Sequence, residues 1–330
     1  MRPWLNSCSN GTVERTLGAP FCSTIAISLP QQLAVRTCVI FNPAARGEKA
    51  KRFRRHLDEF GAQCTLKLTT AVGDGRRLAA EAVAEGFETV VAAGGDGTLN
   101  EVLNGLGDAP DGFARARLGV LPLGTVNVFA RELAIPTRLG AAWDILCRGR
   151  ETRIDLPCVE YREHGAPARR FFAQLAGAGL DARAIELVQW ELKKKLGPLA
   201  YVMAGLDALR GPPSVITATA GDRSATGGLV LLGNGRLYGG RFRLFPHADL
   251  RDGLLDVCVF PRVNWLTLAL CGPRLLLTGA LPASATQNFR GESVTLASPS
   301  PAPLEIDGEL VGQLPATFSV QRSRLRVVVP

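Results

Sequence analysis

Short apolar runs separated by segments of helical periodicity fill the first half of the chain. The runs predict buried strands at residues 37–43, 64–70, 89–93 and 117–124. The segments between them predict helices at residues 49–61 and 74–85, and a third helix that begins near residue 98. Strands that alternate with helices favour a doubly wound, mostly parallel α/β sheet. We expect this domain to span residues 34–152, after a loose N-terminal extension of residues 1–33.

The hydrophobic pattern changes after about residue 152, where short apolar runs follow one another between Gly, Pro and Asp turns. These runs predict strands at residues 171–179, 215–221, 227–235, 254–260, 294–298 and 325–330. Helical stretches at residues 181–210 and 265–279 interrupt the series. Strands in series with turns between them favour a β-rich, sandwich-like second domain. We assign it to residues 153–317 and allow the C-terminal strand, about 318–330, to return to the first domain.

Composition narrows the class of protein and of partner. The 330 residues are 46% hydrophobic and 21% charged, which is typical of a soluble globular chain. The 38 basic and 30 acidic residues give a net charge of +8, which favours anionic partners such as a nucleotide or a membrane surface. Aromatic and basic residues are not interleaved as a groove for single-stranded nucleic acid requires, so we predict no nucleic-acid partner.

The cysteines and the apolar runs exclude several other classes. None of the eight cysteines forms a C-x-x-C pair and only three histidines are present, which argues against structural zinc. Scattered cysteines indicate reduced thiols in a cytosolic protein. No run approaches the roughly 20 apolar residues of a membrane span, so we expect no transmembrane segment. Nothing in the pattern indicates an oligomeric state.

The stretch "VVAAGGDGTLNEVLNG" at residues 90–105 is the strongest candidate for chemistry. An apolar strand runs into three glycines around Asp96, and Leu99, Val102, Leu103 and Leu106 have the spacing of one helical face. A helix N-terminus behind glycines offers free N–H groups to an anion such as phosphate. A carboxylate beside a phosphate implies a bridging metal ion or a base for an attacking hydroxyl. Neither the P-loop pattern nor the dinucleotide fingerprint is met here.

Further motifs follow in a fixed order along the chain. They are "FNPAARG" (41–47), "LPLGTVNVFARELAIP" (121–136), "GAGLDARA" (177–184), "GNGRLYGG" (233–240), "DGLLDV" (252–257) and "EIDGEL" (305–310). With "GGDGTLNEVLNG", this ordered set resembles the diacylglycerol kinase catalytic-domain superfamily, which includes sphingosine kinases and the soluble bacterial lipid kinases. The resemblance covers roughly residues 35–330.

The resemblance implies an ATP-dependent lipid kinase that phosphorylates a hydroxyl of diacylglycerol, a sphingoid base or a related lipid. ATP and Mg²⁺ would lie between an NAD-kinase-like nucleotide domain and a β-rich lipid-substrate domain. The protein would be cytoplasmic and would associate peripherally with the inner face of the membrane, where its lipid substrate lies. The residues implied for phosphate binding are Gly94, Gly95, Asp96, Gly97, Thr98, Leu99 and Asn100. Asn42, Thr69 and Thr125 would contact the nucleotide, and Glu101 would support the loop.

The resemblance also assigns roles to the carboxylates of "LEIDGEL", although Asp-Gly is itself a favoured hairpin turn. Glu309 would be the base and Asp307 a metal ligand, whereas the sphingosine kinase scheme would make Asp96 the base. We favour Glu309 as the base, with Asp96 near the metal and the phosphates. Asp181 would lie near the lipid head group. The same "GAGLDA" segment meets a dinucleotide pattern, but no second βαβ half follows it.

One further metal site and one departure come from the same resemblance. Bacterial relatives hold a structural magnesium at the D-G-x-L segment, which maps to Asp249, Asp252 and Leu254. Many relatives carry an Asp where this chain has Val128, and valine cannot ligate a metal. This departure leaves open a catalytically silent nucleotide or lipid sensor. An NAD kinase-like small-molecule kinase also stays open, because such enzymes share the G-G-D-G-T sequence.

Overall fold

The protein is built around one large sheet. The structure, a computed structural model, describes residues 35–44, 48–55, 64–187, 209, 211, 214–240 and 242–330. These described residues belong to one compact unit. Within them, 15 strands are connected by hydrogen bonds into a single sheet, and two short strands form a separate pair.

The first part of the chain forms the parallel α/β portion. Its strands are β1 (Thr37–Phe41), β2 (Thr65–Leu68), β3 (Thr89–Gly94) and β4 (Arg117–Pro122). They lie in the order β2-β1-β3-β4, and every pair is parallel. All residues of β1 and β3 are buried. This explains their uninterrupted apolar sequences, because strands of a parallel sheet are covered on both faces.

Six helices accompany these strands in the described part of the chain. They are α1 (Glu48–Arg55), α2 (Asp74–Ala84), α3 (Asp96–Asp108), α4 (Gly112–Arg115), α5 (Val128–Glu132) and α6 (Leu139–Arg148). In α3, Val102, Leu103 and Leu106 are fully buried, as their helical spacing predicts. This apolar face orients α3 so that its first turn follows directly from the end of β3.

The second part of the chain is rich in antiparallel strands. They are β5 (Arg150–Glu163), β6 (Ala166–Phe171), β7 (Leu175–Gly179), β8 (Ile216–Ala220), β9 (Arg223–Gly227), β10 (Leu229–Gly233), β11 (Leu237–Tyr238), β12 (Phe242–Arg243), β13 (Leu255–Phe260), β14 (Gln287–Gly291), β15 (Ser293–Ala297), β16 (Pro303–Ile306) and β17 (Glu309–Val329). Two helices, α7 (Leu180–Leu187) and α8 (Trp265–Thr278), interrupt them. Phe172, Val230, Leu304 and Phe318 belong to the core of this part.

Strand β17 connects the two parts. It begins in a hairpin with β16, pairs with β5 along most of its length, and ends beside β4. The last of these pairings is parallel and joins Val327 to Leu118. The C-terminal segment thus returns to the α/β sheet, while the exact limits of the two domains stay predictions.

The α/β and β-rich classes predicted from the sequence are both present, with local differences. The strand predicted at residues 171–179 is two strands, β6 and β7, separated at Phe172–Gln174. Strand β5 was not predicted, because charged residues fill its ends and only its centre is buried. Outside the described residues lie segment 1–33, the end of the helix predicted at 49–61, and most of the helical stretch at 181–210.

Candidate active site

The glycine loop leaves a helix N-terminus open to an anion. Strand β3 ends at Gly94 and helix α3 begins at Asp96. The first backbone bond of the helix runs from the Leu99 N–H to the Gly95 carbonyl, at 3.0 Å. No described residue accepts from the N–H groups of Asp96, Gly97 or Thr98. These groups and the positive end of the helix dipole could bind an anion, and phosphate binding at this loop stays a prediction.

The three glycines of the loop are required for different reasons. A Cβ at Gly94 would lie 2.4 Å from the Thr98 hydroxyl oxygen, and a Cβ at Gly97 would lie 2.8 Å from Glu309 Oε1. Packing against Thr98 therefore excludes a side chain at Gly94, whereas at Gly97 only the end of the Glu309 side chain would have to move. A Cβ at Gly95 would lie 3.6 Å from its nearest neighbour, the Gly124 Cα, which is an ordinary contact. Packing within the protein therefore leaves room for a side chain at Gly95. A glycine at this position instead indicates close approach of a ligand to the backbone.

Asp96 lies between the glycine loop and helix α5. Burial and the neighbouring Asp307 raise its pKa to about 6, and the nearby backbone N–H groups of Asn127, Val128 and Phe129 oppose that rise. Val128 thus contributes its backbone amide, which any residue supplies equally well. The departure from the family motif at this position leaves the hydrogen bonding of Asp96 intact.

The turn before α5 faces the glycine loop. Asn127 has φ 53° and is held by its own side chain, which accepts from the Gly124 N–H at 3.0 Å and donates to the Gly124 carbonyl at 2.7 Å. Thr125, predicted to contact the nucleotide, is exposed within this turn. Sequence reasoning did not single out Asn127, although it lies within the matched motif.

The carboxyl ends of neighbouring strands bring two more predicted residues to this edge. Asn42 follows β1, and its amide nitrogen lies 3.5 Å from the Thr98 hydroxyl. Thr69 follows β2, is buried, and donates its backbone N–H to the Phe41 carbonyl at 3.0 Å. Ligands of open α/β sheets bind at this edge. The position of both residues is therefore consistent with the predicted nucleotide contacts.

Two residues of helix α3 have positions that limit their predicted roles. Leu99 is buried in the core, so only its backbone faces the loop region. Glu101 accepts the N–H groups of Gly73 and Gly75, each at 2.8 Å. Its carboxylate therefore supports the start of α2 rather than the glycine loop itself.

The Asp-Gly segment forms the tip of a hairpin between β16 and β17, where Ile306 pairs with Glu309. Asp307, at φ 47°, is fully hydrogen-bonded. It accepts from Asn100 Nδ2 at 2.8 Å and from the N–H groups of Ala173 at 2.8 Å, Gln174 at 3.0 Å and Leu175 at 3.1 Å. Burial nevertheless raises its pKa. These bonds attach the hairpin to α3 and to the start of β7, and the metal-ligand role of Asp307 stays a prediction.

Glu309 is brought against the glycine loop by this hairpin. Its Oε2 accepts from Arg170 Nη2 at 2.9 Å, and its Oε1 lies against Gly97. Burial raises the pKa of Glu309, and Arg170 opposes that rise. Arg170 also donates to Asn100 Oδ1 at 3.1 Å, so one guanidinium connects Glu309 to helix α3. Sequence reasoning missed Arg170, because nothing in an arginine near a strand end reveals a partner 139 positions away.

The third carboxylate of the hairpin has a separate partner. Glu305 is fully buried and faces Asp181, and burial together with this pairing raises its pKa. Asp181 accepts the Tyr238 hydroxyl at 2.8 Å. The three alternating acidic residues therefore serve two places, Glu305 beside the predicted head-group residue and Glu309 beside the glycine loop.

Helix α5 connects these two places. Its last residue, Glu132, accepts from Arg236 Nε at 2.8 Å, from the Leu237 N–H at 3.0 Å and from Gln174 Nε2 at 3.1 Å. Strand β11, which carries Tyr238, is thereby held to the helix whose N-terminus binds Asp96. The phosphate end and the Asp181 end of the candidate site are parts of one hydrogen-bonded arrangement.

At the D-G-x-L segment an arginine contacts a carboxylate that is predicted to hold a metal. Asp252 accepts from the Leu254 N–H at 3.0 Å and from Arg290 Nη2, and Arg290 Nε donates to Asp256 at 2.9 Å. Asp249 accepts from the Arg251 N–H at 3.1 Å. Across the described chain, no three His, Cys, Asp or Glu side chains are grouped to hold a metal. A guanidinium supplies positive charge here, and the metal role of Asp249, Asp252 and Leu254 stays a prediction.

Comparison with known proteins shows the family to which the chain belongs. Residues 36–159 match the diacylglycerol kinase catalytic domain, and residues 174–329 match the YegS C-terminal NAD kinase beta sandwich-like domain. The diacylglycerol kinase of Staphylococcus saprophyticus subsp. saprophyticus is 31% identical over 307 residues, which cover 89% of this chain and 95% of that protein. The chain belongs to the diacylglycerol kinase family. The family's enzyme from Staphylococcus carnosus (strain TM300) is 30% identical over 308 residues, with the same coverage.

Solved structures show the same fold for the family. The crystal structure of a diacylglycerol kinase from Bacillus anthracis str. Sterne has a TM-score of 0.65 at 17% identity, over 89% of this chain and 97% of that one. Another crystal structure from the same organism reaches 0.70 at 20% identity. Membership identifies the chain as a lipid kinase. Among the helices that the structure describes, none has the length and apolar content of a membrane span.

Proposed function

We propose that this protein transfers the γ-phosphoryl group of ATP to a hydroxyl of a membrane lipid, with diacylglycerol as the first candidate. The observation that carries the proposal is the contact between Glu309 and Gly97. It brings a carboxylate with a raised pKa to the open helix N-terminus at which phosphates would bind. A base next to a phosphate site is the arrangement that phosphoryl transfer to an alcohol requires.

Each group at the site has a role in this scheme. The N–H groups at the start of α3 bind the phosphate oxygens and stabilise the charge that develops during transfer. Glu309 accepts the proton of the lipid hydroxyl as that oxygen attacks the γ-phosphorus, and the bond from phosphorus to the ADP oxygen breaks. Arg170 holds the Glu309 carboxylate against the loop and keeps its pKa from rising further.

Magnesium, when bound with ATP, would neutralise charge on the phosphates. Asp96 is the carboxylate whose position fits it, because it lies at the glycine loop. Asp307 fits less well, since four protein donors already occupy its oxygens. We therefore propose that Asp307 holds the hairpin in place and that Asp96 contacts the metal and the phosphates.

The lipid would enter from the side of Asp181. Its carboxylate, with Tyr238 and Glu305, provides a polar group inside a largely apolar part of the protein, which suits a head group with an apolar tail. We propose that the protein acts as a peripheral protein on the inner face of the membrane. Its net charge of +8 favours a negatively charged lipid surface.

A transfer assay with γ-labelled ATP tests the proposal. Purified protein is incubated with vesicles that contain diacylglycerol, sphingosine or phosphatidylglycerol, and in parallel with NAD. We expect label on diacylglycerol and loss of most label transfer in Asp96→Asn, which keeps the volume of the side chain but removes its charge. Label on NAD alone would support a small-molecule kinase, and ATP binding without any transfer would support a sensor.

A further inference from the structure

Helix α8 directs most of its apolar side chains into solvent. Trp265 is 53% exposed, Leu266 75%, Leu270 52% and Leu277 86%. With Ala269 and Pro273, which are also exposed, these residues fall within an arc of about 140° at the 100° spacing of an α-helix. The arc is as wide as the buried face of an ordinary amphipathic helix, but it faces away from the protein.

The opposite edge of α8 is attached to the protein. Cys271 is buried in a small apolar cluster that also includes Phe245 and Phe260, and Val263 and Tyr238 pack against the same cluster. The Asn264 side chain caps the helix by accepting the Thr267 N–H at 2.9 Å. The exposed face is therefore held in a defined orientation.

The charge around α8 matches an anionic surface. The sequence contains no acidic residue between Asp256 and Glu292. Arg262 and Arg274 are exposed, and neither guanidinium forms an ion pair with any described residue. A tryptophan and exposed leucines on one helix, with arginines on the helix and just before it, are the composition of interfacial helices that lie on anionic membranes.

The helix also lies next to the predicted head-group residue. The N–H of Arg243, in β12, donates to the carbonyl of Gly279 at the end of α8 at 3.0 Å. Strand β12 pairs with β11, where Tyr238 lies opposite Phe242. Tyr238 in turn donates to Asp181. A membrane held against α8 would thus lie beside the side of the site from which the lipid enters in our proposal.

We infer that α8 is the membrane-docking element of this protein, and that its occupant is the surface of a bilayer containing anionic lipid. Trp265, Leu266, Leu270 and Leu277 enter the interface between head groups and acyl chains, and Arg262 and Arg274 contact lipid phosphates. This inference rests on the proposed function, because docking beside Asp181 would bring the enzyme to a substrate in the membrane.

Vesicle sedimentation without ATP tests the docking step. The variant Leu266→Ser/Leu277→Ser removes the two most exposed leucines of α8, and Val72→Ser is the control, because Val72 is 98% exposed in the α/β part. Vesicles of phosphatidylcholine with phosphatidylglycerol are compared with phosphatidylcholine alone. We expect the double variant to partition at least roughly tenfold more weakly, since two leucine side chains no longer transfer from water into the bilayer interface, and Val72→Ser to bind like wild type. Arg262→Gln/Arg274→Gln should lose only the preference for phosphatidylglycerol.

Wild-type binding by the double variant, equal loss in Val72→Ser, or no vesicle binding by the wild type would each overturn the inference. A water-soluble short-chain diacylglycerol separates docking from chemistry. The double variant should phosphorylate it at the wild-type rate while it phosphorylates vesicle-embedded diacylglycerol more slowly. If no lipid is phosphorylated but vesicle binding follows the expected pattern, the proposed function fails and the docking surface stands.

Discussion

Two clusters of acidic residues differ in how closely arginine side chains contact their carboxylates. At the glycine loop, burial and the neighbouring Asp307 raise the pKa of both Asp96 and Glu309, and Arg170 contacts Glu309 alone among the three. At the D-G-x-L segment, Arg290 bonds to both Asp252 and Asp256. The first region retains an excess of negative charge beside open amides, whereas the second is neutralised internally. The difference teaches that carboxylate spacing predicts a metal only where no arginine from another strand reaches the same oxygens.

Removing the carboxylate of Glu309 should have the largest effect. Glu309→Gln is nearly isosteric but cannot accept a proton, so we expect kcat to fall by roughly 10² or more. The KM for ATP should change little, because in the proposed scheme the phosphates bind at the start of α3. Steady-state kinetics check this, with Glu292→Gln, a change in an exposed ion pair, as control. A raised KM with an unchanged kcat would instead make Glu309 a nucleotide or metal contact and Asp96 the better base.

Two neighbouring glycines separate a ligand role from a packing role. Gly95→Ala meets only an ordinary contact, so Tm should be unchanged while the KM for ATP rises by roughly tenfold, or about 1.4 kcal/mol. The new Cβ of Gly94→Ala would collide with Thr98. We therefore expect a lower Tm and a loss of about 1–3 kcal/mol in the free energy of unfolding. Thermal melts and ATP titrations on both variants give the answer. Unchanged ATP affinity in Gly95→Ala would leave this glycine with a role in the turn alone.

A substitution at Arg290 tests whether its guanidinium neutralises the carboxylates of the D-G-x-L segment. Arg290→Met leaves Asp252 and Asp256 facing each other without their shared cation, so we expect a loss of roughly 1–3 kcal/mol in stability. In the nucleotide-free wild type, neither EDTA nor Mg²⁺ should move Tm. A wild-type Tm that rises with Mg²⁺ would show that a metal binds at this segment despite the guanidinium.

The raised pKa of Asp96 predicts the smallest effect, a loss of folding stability as the pH rises. Its pKa rises from 3.8 to about 6 on folding, so its contribution to stability is fully present below about pH 4 and is lost as pH rises through 6. At pH 8, Asp96→Asn should therefore melt higher than wild type, by about 2–4 °C. At pH 4 the difference should vanish. A variant that melts lower at pH 8 would mean that the α5 amides outweigh the burial of the charge.

Local sequence patterns predicted the parts of the site that depend on neighbours in the chain. The glycines around Asp96, the leucines of α3 and the Asp-Gly turn each act within a few residues, so their spacing is enough to reveal the loop, the helix and the hairpin. The partners across strands were not predictable in this way. Arg290 reaches Asp256 only because β13 and β14 pair in the register that brings these two residues opposite each other. Arg170 depends in the same manner on how β6 lies against the hairpin.

Strand β17 has a mechanical consequence. It starts with Glu309 at the glycine loop and continues to Val327 beside β4, so no flexible linker separates the two parts at this crossing. Any relative motion of the two parts must be taken up by bending of this one strand. Its pairing with β5 is interrupted between Gln321 and Leu325, where Ser323 has φ 50° and donates to the buried Asp155 at 2.7 Å. The strand is therefore continuous between the two parts, and its pairing with β5 is irregular both here and between Gln313 and Thr317.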